Sequence, residues 1–216
     1  MKNQTIDDLV DDLIPIRRVA PREGVALVLL ATLTAAIIIA TVFGFRPDIM
    51  AGRPEPIIMV RGALLLLLGM ASVSAVVASA RPGIGQAGNG QASHGWRWAL
   101  AAAAIFPGTA VVLAITNVQE AVNAAASSNA YYCFGISGVS ALVIGAVLTL
   151  WLRHGAPTSP ERTSWLVGMA AGSFGTFAYS LHCPSDTVYY AGLWYSLVVL
   201  MCAGAARILV PRFIRW

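Results

Sequence analysis

Charge is what this 216-residue sequence has least of: 11% of its residues are Asp, Glu, Lys or Arg, against 57% hydrophobic residues. With a mean hydropathy of +0.72, the chain has too little polar surface to cover a soluble globule, which excludes a water-soluble enzyme or binding domain and indicates an integral membrane protein. No Walker loop, Rossmann glycine pattern, HExxH or CxxC is present. The nucleotide, zincin and dithiol-oxidase chemistries that those patterns carry therefore have no support. No acid lies deep inside an apolar run either, since Asp48, Glu55, Glu120 and Asp186 all fall between runs. This argues against a proton-coupled transporter, which needs ionisable groups within the bilayer. His94 and His154 stand in short polar stretches, where a solvated histidine is ordinary.

What the chain does have is long apolar runs. A span needs about 20 mostly apolar residues to cross roughly 30 Å of hydrocarbon, and six segments qualify: 24–44, 57–80, 96–118, 132–152, 163–183 and 190–210. Open strands cannot be satisfied in lipid, so the fold class is all-α, an integral membrane six-helix transmembrane bundle. The first run is longer than a signal h-region and no small-x-small cleavage site follows, so it is read as a retained helix. "GMAAG", 168–172, is a GxxxG read as close helix packing within the monomer.

Basic residues are retained in the cytoplasm. With the N-terminus inside, the cytoplasmic side holds Lys2, Arg17, Arg18, Arg22, Arg81, Arg97, Arg153, Arg162, Arg207, Arg212 and Arg215, which is 11 of the 14. The other three, Arg46, Arg53 and Arg61, belong to the first outer loop and the start of the second span, where Arg61 can snorkel outward. Both termini are expected to be cytoplasmic. The organisation is then a cytoplasmic N-terminal partner-binding segment (1–23), a six-span transmembrane domain (24–210) and a cytoplasmic tail (211–216).

The segment "TIDDLVDDLIPIRR", 5–18, patterns as a short amphipathic helix. At 100° per residue Ile6, Leu9, Val10, Leu13 and Ile14 share one face and Asp7, Asp8, Asp11 and Asp12 the opposite one. Thr5 with Asp8 resembles a capping box, and Pro15 ends the helix. A peptide this short needs a surface for its apolar stripe. Four aspartates are repelled by anionic lipid, so a groove on a basic protein partner is the better fit than the bilayer. Arg17, Arg18 and Arg22 would anchor the segment at the membrane interface.

Two of the three cysteines map to the outer ends of spans, Cys133 in "YYCFG" and Cys183 in "SLHCPSD"; Cys202 falls inside the last span as a small apolar filler. The outer face meets an oxidising compartment, and three readings of the pair compete. One is a structural disulfide. A second is a pair of reactive sensor thiols, exposed at helix ends with His182 beside them. The third is a soft-metal site built from Cys133, His182 and Cys183.

"LVDDLIPIRRVAPR" (9–22), "YYCF" (131–134) and "YSLHCPSDTVYYAGLWY" (179–195), set in this architecture, resemble the NrsF-like family, negative regulators of sigma F. That resemblance implies a membrane anti-sigma factor of the bacterial inner membrane with no enzymatic activity and no cofactor. It further implies that the protein holds an extracytoplasmic-function (ECF) sigma factor on the cytoplasmic side and makes no direct contact with nucleic acid. Release under oxidative or heavy-metal stress through Cys133 and Cys183 is implied as well. The rival class is a small multi-span permease or a thiol-redox membrane protein.

Overall fold

The computed structural model describes residues 20–80 and, with the exception of scattered positions, 101–214. The N-terminal segment 5–18 therefore lies outside the described residues, as do Arg17 and Arg18. Every regular element among the described residues is helical. The long ones are α1 (Pro21–Phe43), α3 (Pro56–Ser79), α5 (Asn129–Leu152) and α6 (Pro160–Ser180). The last helix, α7, runs over Val188–Ile214 with a π turn at Ala191–Tyr195. Two short helices, α2 (Pro47–Met50) and α4 (Val118–Ala125), sit between them.

Local chemistry sets the starts. Pro21, Pro47, Pro56 and Pro160 each open a helix, where a missing N–H costs nothing and a fixed φ is already helical. Asn117 and Thr187 cap α4 and α7 by accepting from the amides of Glu120 and Tyr190.

Among the described residues four helices, α1, α3, α5 and α7, are long and apolar enough to cross a membrane. The expected six spans are thereby reduced to four by length and hydropathy, for two distinct reasons. The 163–183 run is the helix α6, but it is not apolar enough to qualify. Its composition follows from its place at the centre, against α3, α5 and α7. Thr163, Ser164, Ser173, Thr176 and Ser180 are buried on it together with Gly168, Gly172 and Gly175. A helix walled off from lipid has no need of a greasy exterior, whereas α1, with one flank uncovered, shows Leu30, Leu33, Ile37 and Ile38 to the outside. The 96–118 run is only partly described, and its described stretch, Pro107–Thr116, is an apolar helix shorter than a span.

The GxxxG works as expected within the monomer. A Cβ on Gly168 would collide with the Cys202 carbonyl oxygen and lie 2.5 Å from the Ala203 Cα, and one on Gly172 would lie 2.9 Å from the Val199 Cα. These glycines let α6 and α7 touch backbone to backbone. Three hydroxyls of the bundle are satisfied by their own helix, Thr32 by the Val28 carbonyl (2.8 Å), Ser173 by that of Met169 (2.7 Å) and Thr149 by that of Gly145 (2.7 Å). The Thr163 hydroxyl instead reaches another helix, donating from Oγ1 to Ser79 Oγ at 3.1 Å.

Three contacts define one end of the bundle: Gly24 under the Trp151 ring, Thr163 on Ser79, and Arg207 on Glu161. The exposed Arg22, Arg153, Arg162, Arg207 and Arg212 all belong to this end. Arg46, Arg53 and Arg61 belong to the other, as does the N-terminus of α5, so Ser79 and Asn129 stand at opposite ends. The core is divided along the same axis. Leu68, Val76, Ile144, Leu148, Leu152 and Phe174 fill the arginine-rich half; Leu65, Cys133, Tyr179, Cys183, Tyr190 and Tyr195 fill the other.

Candidate functional site

The second core cluster holds both Cys133 and Cys183. Cys133 lies in the second turn of α5, facing inward, and Cys183 lies two residues past the Leu181 C-cap of α6. The chain turns there because the amides of His182 and Cys183 both donate to the Tyr179 carbonyl, at 2.9 and 3.1 Å, and Pro184 blocks further helix. Both cysteines are free thiols with 0% exposure. The expectation of exposed thiols at helix ends is thus corrected. The helix ends are there, but three tyrosines cover them.

Tyr179, Tyr190 and Tyr195 are buried in the same cluster as the two thiols, and Ser137, one turn along α5 from Cys133, is buried as well. The π turn explains how two tyrosines five residues apart reach one site. On a regular α-helix positions i and i+5 diverge by about 140°, so Tyr190 or Tyr195 would point away. The wider π turn brings both inward, where their rings meet edge to face at 6.3 Å. Trp194, on the other side of that turn, donates its indole N–H to the Ala124 carbonyl at 2.9 Å and ties α4 down over the cluster.

Two arginines hold the 180–185 turn. Arg46 donates Nη1 to the Cys183 carbonyl at 2.6 Å and its amide to that of Leu181 at 3.4 Å, while its Nε donates to Asp48 Oδ1 at 2.9 Å. That hydrogen bond, on the short α2 outside the spans, holds the Asp48 carboxyl below its ordinary value. Arg61 reaches the same turn from α3 through the carbonyls of Ser185 (2.6 Å), Ser180 (3.2 Å) and Cys183 (3.5 Å). Its guanidinium stands 5.7 Å over the Tyr195 ring. Snorkelling is therefore not what Arg61 does: at 3% exposure it turns into the protein, because the carbonyls at the C-terminal end of α6 offer a negative pole closer than water.

His182 does not join the thiols. Its Nδ1 lies 2.9 Å from the Gly44 carbonyl and its ring packs 5.4 Å from Phe43. Among the described residues no three His, Cys, Asp or Glu side chains come together to hold a metal ion, the trio Cys133, His182 and Cys183 included. Cys202 is half-buried on α7, away from this end. Of the expected interface anchors only Arg22 is described, exposed in the first turn of α1; Ile6, Asp7, Asp8, Leu9, Val10, Asp11, Asp12, Leu13 and Ile14 lie outside the described residues. The residues that sequence reasoning missed are Arg46, Arg61, Tyr179, Tyr190 and Tyr195. A charge in the second turn of an apolar run was the signal available for Arg61.

With this arrangement in view, the family model described as negative regulator of sigma F (NrsF) matches residues 9–216. The chain belongs to the NrsF family. The Anti-sigma-F factor NrsF of Caulobacter vibrioides (strain NA1000 / CB15N) is 33% identical over 206 residues, covering 90% of this chain and 91% of that protein. No solved structure matches. The NrsF match begins at residue 9, within the acidic N-terminal segment, and runs through both thiols to the last residue.

Proposed function

We propose that this chain is a membrane-bound anti-sigma factor that holds an ECF sigma factor at the inner membrane through its N-terminal helix, residues 6–14, and releases it when Cys133 and Cys183 are oxidised. The observation that carries the reading is the presence of both thiols in one buried cluster, in a chain whose curated relative is named an anti-sigma-F factor. A disulfide between Cys133 and Cys183 would join α5 to the turn after α6 and shift the packing of the cluster that they share. The acidic, amphipathic N-terminus supplies a peptide that fits a groove on a basic, DNA-binding partner. The soft-metal reading is not carried forward, because the three ligands do not converge.

The test combines retention of the partner with thiol chemistry. Full-length protein purified in mild detergent from unstressed cells is expected to bring down one sigma factor, and oxidation is expected to release it. Cys133→Ser and Cys183→Ser should keep the partner but blunt release, since serine preserves size and lacks thiolate nucleophilicity. Cys202→Ser should behave as wild type. Release from both serine variants as complete as from wild type would remove the thiols from the mechanism; repeated absence of any transcription protein would sink the anti-sigma reading.

The proposed topology has both termini in the cytoplasm and six crossings. Beside the four apolar helices these are α6, whose 21 residues reach about 31 Å at about 1.5 Å each, and the chain that joins Ser79 to Asn129. The exposed arginines at one end support the orientation. A reporter active only in the cytoplasm should give signal when fused after Trp216 and none when inserted near Ser127. The reverse pattern would turn the bundle over and put the thiols on the reducing side.

A further inference from the structure

Arg61 is an ionised side chain 3% exposed within a membrane-spanning helix, a position where charge is costly and rarely kept without a task. Among the described residues no carboxylate pairs with it, and its Nε finds no acceptor. All of its hydrogen bonds go to one short stretch of backbone, the carbonyls of Ser180, Cys183 and Ser185. A planar fork that grips residues on both sides of a cysteine fixes where that cysteine's Cα–Cβ bond points, which a single contact does not. Across the cluster from this turn is Cys133, itself fixed within the second turn of α5. The elements meeting here are α3 through Arg61, α5 through Cys133, α6 and its turn through Tyr179 and Cys183, and α7 through Tyr190 and Tyr195.

We infer that Arg61 is a positioning residue for the thiol pair: by clamping the 180–185 turn to α3 it holds Cys183 in the one placement from which it can join Cys133. This rests on the thiol-switch reading above and deepens it by naming the part that makes the pair competent. Arg46 grips the Cys183 carbonyl as well, but it is anchored to Asp48 on α2, outside the bundle. Of the two arginines, Arg61 is the one that ties the turn to a spanning helix. The clamp also gives α3 a direct mechanical link to the oxidised state, because any movement of Cys183 towards Cys133 pulls on all three carbonyls.

The test is intramolecular crosslinking of the full-length protein in detergent with diamide. This diazene takes up two electrons and the two thiol protons to become a hydrazine while an S–S bond forms between Cys133 and Cys183. Iodoacetamide labelling of Cys202 in the same sample reports the integrity of the bundle. Arg61→Gln is expected to crosslink about tenfold more slowly, the kind of loss that follows a misplacement of less than an ångström, with Cys202 labelled at the wild-type rate. Arg61→Lys, which keeps a charged donor without the fork, should fall at least threefold below wild type and above the glutamine variant. Wild-type crosslinking in Arg61→Gln would overturn the assignment. So would a general rise in labelling that includes Cys202, which is the mark of a merely structural residue. If the glutamine variant does not accumulate, Arg61→Lys decides alone: slower crosslinking with Cys202 unchanged supports the clamp, and the wild-type rate overturns it. Crosslinked wild-type protein that still holds its partner would count against the switch, while the crosslinking rates would still decide what Arg61 does.

Discussion

Replacing Gly168 by leucine is expected to abolish the folded bundle, whereas the same change at Gly204 should leave it intact. Gly168 is packed against the Cys202 carbonyl oxygen, the Ala203 Cα and the Ala206 Cβ, so two of the three atoms that a new side chain meets are backbone and cannot turn aside. Overpacking a core that can still shift costs about 1–3 kcal/mol. Here α6 and α7 must part along the contact that the glycines make, and about 3 kcal/mol or more should be lost. Gly204 has nothing within 4 Å of its Cβ position and tests whether leucine on α7 is harmful in itself. Thermal unfolding in detergent, followed by the loss of monodisperse protein, reads the difference. Equal stability of the two variants would mean that the close contact between α6 and α7 does not form.

The second large effect is expected at the N-terminus. Changing Leu9 and Leu13 to aspartate puts two charges on the stripe proposed to enter the partner's groove, where an unpaired buried charge costs several kcal/mol. Affinity should fall by about a hundredfold or more, since each 1.4 kcal/mol is a factor of ten. The target genes of the sigma factor should then run without stress, while membrane abundance is unchanged because no spanning helix is touched. A doubly substituted protein that represses normally at wild-type abundance would mean that the partner is held elsewhere.

What could be read in the sequence follows from what faces lipid. The apolar runs at 24–44, 57–80, 132–152 and 190–210 became α1, α3, α5 and α7, because bilayer contact demands an apolar exterior that hydropathy detects directly. The run at 163–183 gave a helix in the right place, α6, but its central position and its burden of Ser, Thr and Gly depend on three neighbours that no local window contains. The thiols were placed at helix ends and brought to one end of the bundle, as expected. Their burial was missed, because it comes from the π turn that swings Tyr190 and Tyr195 inward, and nothing in "YYAGLWY" distinguishes a π turn from an α turn. Arg61 was misjudged for a related reason. A charge near a helix end can reach water or can reach a neighbour's carbonyls, and only the position of the α6 terminus decides between them.

The polar make-up of α6 has a consequence for how the protein is made. During synthesis a segment is released from the translocon into the bilayer according to its own hydrophobicity, and α6 has little to offer on that scale, since its favourable surfaces are the ones it shares with α3, α5 and α7. It gains a stable berth only beside partners already inserted, α3 and α5 before it, and is sealed in when α7 emerges. The ribosome must therefore have delivered nearly the entire chain before the turn that carries Cys183 exists in its final form. Until α7 arrives with Tyr190 and Tyr195, the cover over Cys133 and Cys183 is incomplete.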